Sequence, residues 1–250
     1  MLSVCLATYN GSKYIKGQIE SILPQLSPED ELIVSDDAST DETSNTVLSI
    51  NDNRIRLVTN ESVHGITGNF ENAINLAKGD YVFLSDQDDK WLPNKVELFM
   101  AEFKNGADIV LSNSSVTDSH LNVKIKSCYD AFGHPNLSFF GTLKSCGWQG
   151  SAMALKRDVL LQSTPFPHNK YILHDLWIGL TIGQIYNTHI IYTPTLLYRR
   201  HSSTVTPLGL SETGEQKHSA NTIRFKITKR IVACALSSIW HIRHTINLLR

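Results

Sequence analysis

The chain has 250 residues, of which 41% are hydrophobic and 19% charged, and its formal net charge at pH 7 is −1. This is the composition of an ordinary globular protein, so it excludes intrinsic disorder and predicts one large domain with at most a small appendage. The sequence contains no apolar run of the ~18 residues that a transmembrane helix needs, so we expect no membrane-spanning segment.

The charge is distributed unevenly along the chain. From Lys217 onward there are seven Lys or Arg residues and no Asp or Glu, so the residues before it carry a net charge of about −8. An acidic body is poorly suited to binding a nucleic-acid backbone, and we expect no nucleic-acid partner.

The cysteines predict a reducing compartment. The four of them are scattered and form no CxxC pair, a spacing that fits neither a zinc site nor a disulfide framework. No basic leader precedes the first apolar segment, so no signal peptide is expected. We therefore predict a cytoplasmic protein.

The first half of the chain alternates short apolar segments with helix-like segments. Strands are predicted at residues 2–7, 31–35, 54–58 and 81–84, and helices near residues 12–23, 42–50 and 70–77. This alternation is typical of a parallel, wound α/β sheet. Polar loops follow the first, second and fourth strands, and we expect them to form a crevice at one sheet edge.

An acidic loop follows the fourth strand, where Asp86, Asp88 and Asp89 lie within four residues. Three ionised carboxylates in one place repel one another, and a divalent cation would offset that repulsion. Mg²⁺ and Mn²⁺ prefer oxygen ligands, often one or two carboxylates plus the phosphates of a substrate. The alternative is a solvated acidic loop that caps the helix starting near Pro93.

The other two loops carry residues suited to binding a nucleotide. Tyr9 offers an aromatic face for a base, and Asp36 or Asp37 offers an acceptor for a base N–H group. Neither GxGxxG nor GxxxxGK[ST] occurs, so a metal at the acidic loop is the natural partner for a diphosphate. Tyr9 in the core, and Asp36 or Asp37 as a helix cap, are the structural alternatives.

Three motifs in order resemble family 2 glycosyltransferases: VCLATYNG near the amino terminus, VSDDASTD at 34–41 and SDQDDKWLP at 85–93. The segment NFENAINLAKGDY before the last motif is also similar to that family. The resemblance implies the GT-A fold, a mostly parallel Rossmann-like sheet, together with an inverting mechanism and an Asp-x-Asp metal motif that binds Mn²⁺ or Mg²⁺. It is dense over residues 2–100 and patchy to about residue 206.

The same resemblance assigns roles to residues of the first half. Thr8 and Tyr9 would contact the base, and Asp37 would bind the uracil or thymine edge. Asp86 would approach the sugar or the ribose, and Asp88 would bind the metal. It assigns no role to Asp89.

The second half resembles the acceptor side of the family. Residues 108–112 are predicted as a strand, 113–143 as a flap, and 146–155 as the strand lining the acceptor pocket, with Trp148 either a sugar platform or core. Asp175 corresponds to the carboxylate that deprotonates the acceptor hydroxyl. The residue before it is His174 where the family usually has Glu, and His174 itself is the alternative base.

Two further segments complete the prediction. In the YRRH segment at 198–201, Arg199 and His201 would neutralise the diphosphate or complete the metal shell, or else be surface charges. Residues 224–250 are predicted as one or two basic amphipathic helices, with Ile223, Ile227, Ile231, Ala235 and Ile239 on one stripe. Such helices bind an anionic membrane surface, or pack on the body with their basic face in water.

These expectations define one enzyme. Residues 1–206 would form the GT-A domain, with 1–110 binding the nucleotide-sugar and 111–206 the acceptor, and residues 207–250 a basic helical extension. The SDQDDxW form is similar to bacterial enzymes of O-antigen and capsule synthesis, which use UDP-hexoses or dTDP-rhamnose and acceptors on a polyprenyl-diphosphate lipid. The enzyme would then work at the inner face of the membrane. A DxD phosphohydrolase and a non-catalytic sugar- or nucleotide-binding module are the alternatives.

Overall fold

The computed structural model describes residues 1–169, 171–202 and 220–248, and its first half alternates strands and helices as predicted. The elements are β1 (Leu2–Thr8), α1 (Ile15–Ile22), β2 (Glu31–Asp36), α2 (Thr43–Leu48), β3 (Ile55–Thr59), α3 (Ile66–Leu76) and β4 (Tyr81–Asp86). The strands lie in the order β3-β2-β1-β4, and each neighbouring pair is parallel. The carboxyl ends of β1, β2 and β4 therefore meet at one edge.

The second half extends this sheet with mixed strand directions. Its elements are β5 (Lys90–Trp91), α4 (Lys95–Lys104), β6 (Ile109–Thr117), β7 (Val123–Ile125), α5 (Cys128–Phe132), α6 (Phe139–Lys144), β8 (Met153–Lys156), α7 (Arg157–Leu161), α8 (His174–Leu180), β9 (Thr188–Arg199) and α9 (Ala220–Leu248). β8 is antiparallel to both β4 and β6, whereas β9 is parallel to β6. The wound α/β sheet is confirmed, with its parallel part confined largely to the first half.

Two apolar cores cover the two faces of the sheet, because successive strand residues point to opposite sides. On β1, Cys5 packs in one core together with Phe70 of α3, while Val4 and Leu6 pack in the other together with Ile19 of α1. The near-continuous burial of β1, β2 and β4 explains why their sequences read as unbroken apolar runs.

The strand predicted at 146–155 is wrong in its bounds, because a 3₁₀ turn occupies Gly150–Ala152 and β8 is only Met153–Lys156. β6 and α3 are longer than predicted because buried polar groups are satisfied by hydrogen bonds. β6 continues to Thr117 through a polar stretch, in which the Ser112 and Thr195 hydroxyls lie 2.6 Å apart and Asn113 Nδ2 donates to the Tyr192 carbonyl at 2.8 Å. α3 starts at Ile66 rather than near residue 70. Patterns based on hydrophobicity cannot locate strands and helices whose polar side chains are paired inside the protein.

The carboxyl-terminal helix α9 packs on the body through a face that the sequence pattern did not identify. Ala233 and Ser237 are buried, with Val232, Leu236 and Trp240 against the core. Those members of the predicted apolar stripe whose side chains are described, Ile231, Ala235 and Ile239, face outward instead. The predicted domain boundary at 206/207 and the side chains of Ile223 and Ile227 lie outside the described residues. In the described part of the chain, no helix has both the length and the apolar character needed to cross a bilayer.

Two glycines provide a test of the packing. A Cβ on Gly79 would lie 2.5 Å from the backbone carbon of Leu2, whereas a Cβ on Gly17 in α1 would meet nothing within 4 Å. We expect Gly79→Ala to lower the free energy of unfolding by about 3 kcal/mol, because backbone cannot move aside cheaply. The matched change Gly17→Ala should raise it by up to about 1 kcal/mol, since alanine favours helix. Urea denaturation measures both, and a Gly79→Ala protein as stable as wild type would contradict this packing.

Candidate active site

A cavity of about 1320 Å³ opens at the carboxyl ends of the parallel strands. Seven of the eight residues predicted for the site line it, namely Thr8, Tyr9, Asp37, Asp86, Asp88, Asp175 and His201. The exception is Arg199. The fold therefore brings together residues that are up to about 190 positions apart in the sequence, which is the minimum requirement for a shared active site.

Gln87 joins the loop after β1 to the acidic loop. Thr8 Oγ1 and the Tyr9 backbone N–H both donate to Gln87 Oε1, at 2.5 and 2.9 Å, and Gln87 Nε2 donates to the Tyr9 carbonyl at 3.2 Å. Gly11 allows this contact, because a Cβ there would lie 2.1 Å from Oε1. The Tyr9 side chain is left 54% exposed, so its ring is available to a ligand.

The neighbouring carboxylates Asp36 and Asp37 have different surroundings. Asp36 is buried and accepts from the Ser39 and Ser44 hydroxyls, at 2.5 and 2.7 Å, so it fastens its own loop. Asp37 lines the cavity and accepts from the Gly65 N–H at 2.7 Å, with His64 Nδ1 2.9 Å away. Of the two candidates for base recognition, only Asp37 faces the cavity.

Asn69 is a structural centre of the site that sequence reasoning missed. Its Nδ2 donates to the carbonyls of Thr8 and Ser35, at 3.0 and 2.9 Å, and its Oδ1 accepts from the Ser35 hydroxyl at 2.6 Å. The side chain thus ties the ends of β1 and β2 together. The one indication in the sequence was the place of Asn69 in the NFENA segment. The hydrophobic pattern predicted Asn69 at the end of a loop, so it suggested no role for its side chain.

Two carboxyl groups of the acidic loop, those of Asp86 and Asp89, have raised pKa values. Burial raises the pKa of Asp86 to about 7, and the Asp88 and Asp175 carboxylates contribute. Burial, followed by Asp88 and Asp86, also raises the pKa of Asp89. Both effects disfavour the charged form, by desolvation and by like-charge repulsion. These carboxyl groups therefore ionise fully only when positive charge is brought to them.

Lys95 supplies part of that positive charge from inside the protein. Its ammonium is fully buried, donates to the Ser151 carbonyl at 2.7 Å and lies 4.3 Å from the centre of the Trp91 ring. Burial lowers its pKa to about 7, against the raising effect of Asp89 and Asp86. The sequence prediction of a cation beside the carboxylates did not anticipate a lysine.

Asp88 and His201 approach each other directly. His201 Nε2 lies 2.7 Å from Asp88 Oδ2, and the His201 ring stacks near Tyr14 with centroids 4.7 Å apart. Asp89 Oδ2 is buried and has no hydrogen-bond partner among the described residues. Within the same residues, no three His, Cys, Asp or Glu side chains converge on one point. The donor set fits a Mg²⁺ or Mn²⁺ ion held by one or two side chains and completed by substrate phosphates.

Arg199 lies behind the acidic loop. Its Nε donates to the Asp88 carbonyl at 2.6 Å, its Nη1 to the Ser119 carbonyl at 2.8 Å, and its backbone N–H to Asp89 Oδ1 at 3.1 Å. The guanidinium carbon lies 4.7 Å from the Tyr14 ring centre, and the residue is 8% exposed. These contacts make Arg199 a support for the acidic loop, in place of the predicted contact with the donor.

Asp175 lies in the first turn of α8 and lines the same cavity. Its Oδ1 accepts from the Leu176 N–H at 2.6 Å, and its charge is close enough to Asp86 to raise that pKa. The adjacent His174 is buried, its ring is 4.1 Å from that of Phe70, and burial lowers its pKa. Neither His174 nitrogen has a hydrogen-bond partner in the described part of the chain. Of the two candidate bases, Asp175 is the more accessible.

The segment between β6 and β8 forms one wall of the cavity and is rich in aromatic residues. Tyr129 and Phe132 of α5 line it together with His134, whose ring centroid is 5.1 Å from that of Tyr192. Trp148 is only 2% exposed, and its Nε1 donates to Thr142 Oγ1 at 3.1 Å. The packing alternative therefore describes Trp148 better than a sugar platform does.

Residues 3–162 match the family model described as Glycosyl transferase family 2. The chain belongs to this family. As a family 2 glycosyltransferase it is an enzyme, and the phosphohydrolase and binding-module alternatives no longer apply. The predicted family membership is confirmed.

Bacterial glycosyltransferases are among the relatives of this chain. The chain is 31% identical over 183 residues to the UDP-Glc:alpha-D-GlcNAc-diphosphoundecaprenol beta-1,3-glucosyltransferase WfgD of Escherichia coli, covering 72% of this chain and 69% of WfgD. It is 27% identical to WfaP of the same species, which carries the same description, covering 93% of this chain and 90% of WfaP. It is 28% identical to the dTDP-rhamnosyl transferase RfbG of Shigella flexneri, covering 79% and 72%.

A solved structure confirms the GT-A fold for this family 2 glycosyltransferase. S. aureus TarS, residues 1–349 in complex with UDP-GlcNAc, superposes with a TM-score of 0.61 at 21% identity. The superposition covers 82% of this chain and 62% of the TarS chain. The chain therefore spans about three fifths of the TarS structure, and the likeness concerns the fold alone.

The raised pKa of Asp86 predicts how the stability of the metal-free glycosyltransferase depends on pH. Between about pH 4 and 7 the native protein holds a proton that the unfolded chain has released, so stability should fall as pH rises through this window. In Asp86→Asn this fall should be shallower and the Tm at pH 7 higher. Thermal unfolding in EDTA at several pH values measures this.

The control is Asp80→Asn, which removes a carboxylate that is 78% exposed just before the amino end of the same strand. It should keep the wild-type slope. An Asp86→Asn protein whose Tm changes with pH as steeply as that of wild type would contradict the burial effect.

Proposed function

We propose that this glycosyltransferase moves a sugar, with inversion, from a UDP-hexose or dTDP-rhamnose to a saccharide acceptor carried on a polyprenyl diphosphate lipid. The reaction would serve the synthesis of a bacterial surface polysaccharide, such as O-antigen or capsule. The observation that carries this proposal is a single cavity lined by Tyr9, Asp37, Asp88 and Asp175. WfgD and WfaP, which are named for UDP-Glc and a diphosphoundecaprenol acceptor, support it.

The nucleoside would bind between the loops after β1 and β2. The exposed Tyr9 ring would stack on the base, and Thr8 would fix the Tyr9 backbone through Gln87. Asp37 would accept the N–H of a uracil or thymine ring. The Gly65 N–H already orients its carboxylate, and a carboxylate has about four lone-pair positions, so acceptor capacity remains. A fixed carboxylate loses little conformational entropy on binding.

Asp88 and His201 would hold a Mn²⁺ or Mg²⁺ ion, and Asp86 would lie beside the ribose or the donor sugar. When bound, such an ion stabilises negative charge on the departing nucleoside diphosphate as a Lewis acid. Arg199 and Lys95 would keep the acidic loop in shape before the ion arrives, because Arg199 contacts its backbone and Lys95 offsets its charge.

Asp175 would act as the general base. Its free oxygen would take the proton of the acceptor hydroxyl as that oxygen forms a bond to the anomeric carbon. The bond between the anomeric carbon and the diphosphate oxygen breaks at the opposite face, and its electron pair leaves with the nucleoside diphosphate. Attack and departure on opposite faces invert the anomeric configuration.

Two isosteric substitutions test this assignment of roles. Asp175→Asn should lower kcat by about 10²- to 10⁴-fold, because a general base contributes that much, while UDP still binds in the presence of Mn²⁺. Asp88→Asn should weaken Mn²⁺-dependent UDP binding at least about tenfold. Transfer assays with UDP-glucose and dTDP-rhamnose, and isothermal titration with UDP and dTDP with and without Mn²⁺, measure both effects.

Asp80→Asn, an exposed change at the other end of the same strand, is the matched control and should leave both quantities unchanged. A folded Asp175→Asn protein with wild-type transfer rates would falsify the base assignment. UDP binding that does not depend on Mn²⁺ would contradict the proposed metal site. The transfer assays with UDP-glucose and dTDP-rhamnose decide which of the two nucleotide sugars is the donor.

We also infer that α9 contacts the membrane that holds such an acceptor. Its outer face exposes Ile231, Ile239, Ile242 and Ile246 by 45–64%. Their spacing puts them on one stripe of the helix, opposite the packed face. An apolar stripe on a basic segment is the arrangement that inserts into an anionic lipid surface. The enzyme would then be peripheral at the cytoplasmic face of the membrane.

Vesicle sedimentation tests the membrane contact. The double variant Ile239→Ser and Ile242→Ser should lower binding to vesicles containing anionic lipid at least about tenfold, because less apolar area is inserted. Leu48→Ser, which replaces an apolar residue 66% exposed on α2, should bind like wild type. Equal binding by all three proteins would exclude this contact, and a change in oligomeric state alone would assign the stripe to self-association.

A further inference from the structure

Two lysines of the second half of the chain line the cavity. Lys144 is the last residue of α6, and Lys229 projects from α9. α9 is fixed to this point by Arg230, whose Nε and Nη2 donate to the carbonyls of Leu143 and Lys144 at 3.1 and 2.9 Å. The two ammonium groups therefore belong to elements that are held together at the rim of one cavity.

Neither lysine has an anionic partner in the described part of the chain. Across residues 1–169, 171–202 and 220–248, no carboxylate forms an ion pair with Lys144 or Lys229, although Lys229 is partly buried. Partial burial of a positive charge costs solvation free energy, which an anionic ligand would offset.

Cys146 lies near both Lys229 and Asp175. Its Sγ points inward and contacts the Trp148 carbonyl at 3.4 Å, although the residue as a whole is exposed. Burial of this sulfur and the Asp175 carboxylate raise its pKa, and Lys229 lowers it, so both charged groups are near the same atom. Lys229 thus lies on the acceptor side of the cavity, close to the residue that would receive the acceptor proton.

We propose that Lys144 and Lys229 bind the diphosphate of a lipid-linked acceptor. This inference rests on the proposed function and adds that the glycosylated sugar is the one attached to the diphosphate. In that arrangement the diphosphate is one sugar ring away from the hydroxyl at Asp175. Lysine ammonium groups bind phosphate oxygens as point charges. The outward stripe of α9 lies on the same helix as Lys229, which suits a diphosphate followed by a lipid chain.

A pair of acceptors tests the proposal in the full-length protein. Both carry the same sugar and the same short alkyl chain, one joined through a diphosphate and the other through a neutral glycosidic oxygen. In Lys229→Gln the ratio of kcat/KM for the diphosphate acceptor to that for the neutral acceptor should fall about tenfold. Lys144→Gln should lower the same ratio by a smaller factor, because Lys144 is exposed, and Lys229→Arg should restore most of it.

Arg243→Gln is the matched control, since it removes one positive charge from an exposed position on the same helix and should keep the wild-type ratio. The proposal is overturned if Lys229→Gln lowers kcat/KM equally for both acceptors, or if it lowers kcat/KM for neither of them. The first result would mean a structural role, and the second would mean that the diphosphate does not contact Lys229.

A binding measurement separates this inference from the proposed function. The protein is saturated with UDP and Mn²⁺, which occupies the donor site, and a sugar-free alkyl diphosphate of short chain length is titrated in. Wild type should bind it about tenfold more tightly than Lys229→Gln. If it does while no sugar is transferred to either acceptor, the proposed function is wrong and the anion site stands. If transfer occurs but the two proteins bind the alkyl diphosphate equally, only the anion site is wrong.

Discussion

The site depends on the carboxyl groups that lie together at the end of one strand. Asp89 is fully buried and Asp86 is partly buried beside the cavity, and burial raises the pKa of both. Such a loop would spread apart or stay protonated without support. Lys95 provides positive charge near these carboxyl groups from inside the protein, and Arg199 donates a hydrogen bond to the Asp88 carbonyl. The negative charge of the ionised acidic loop is therefore only partly compensated by the protein. A divalent cation bound with a diphosphate would compensate the rest.

Neutral side chains hold the rest of the site around this charge. Gln87 joins the loop after β1 to the acidic loop, and Asn69 joins the ends of β1 and β2. Amides suit this task because each one donates and accepts without adding charge to an already acidic region. The loops that carry Tyr9 and Asp37 are thus fixed before any ligand arrives, which lowers the entropy lost on binding.

The sequence predicted the location of the candidate site residues correctly where they directly follow a parallel strand. The parallel order of β1, β2 and β4 forces their loops to one edge, so residues such as Tyr9 and Asp37 could be predicted to share a crevice. It failed where the partner is distant in sequence. Arg199 contacts a carbonyl 111 residues away, and Lys95 contacts one 56 residues away. Hydrophobic periodicity also did not identify the packed face of α9, because Ser237 is buried there while isoleucines such as Ile239 point outward.

The charge distribution separates the two ends of the cavity chemically. The end that we propose for the donor presents Asp86 and Asp88, so a diphosphate approaching there without a cation would meet like charge. The end that we propose for the acceptor presents Lys144 and Lys229, which would attract a diphosphate without any metal. A reaction that brings two diphosphate esters into one cavity needs such a distinction. If one end requires a divalent cation and the other does not, each diphosphate would have one favourable position, and the acceptor hydroxyl would face Asp175.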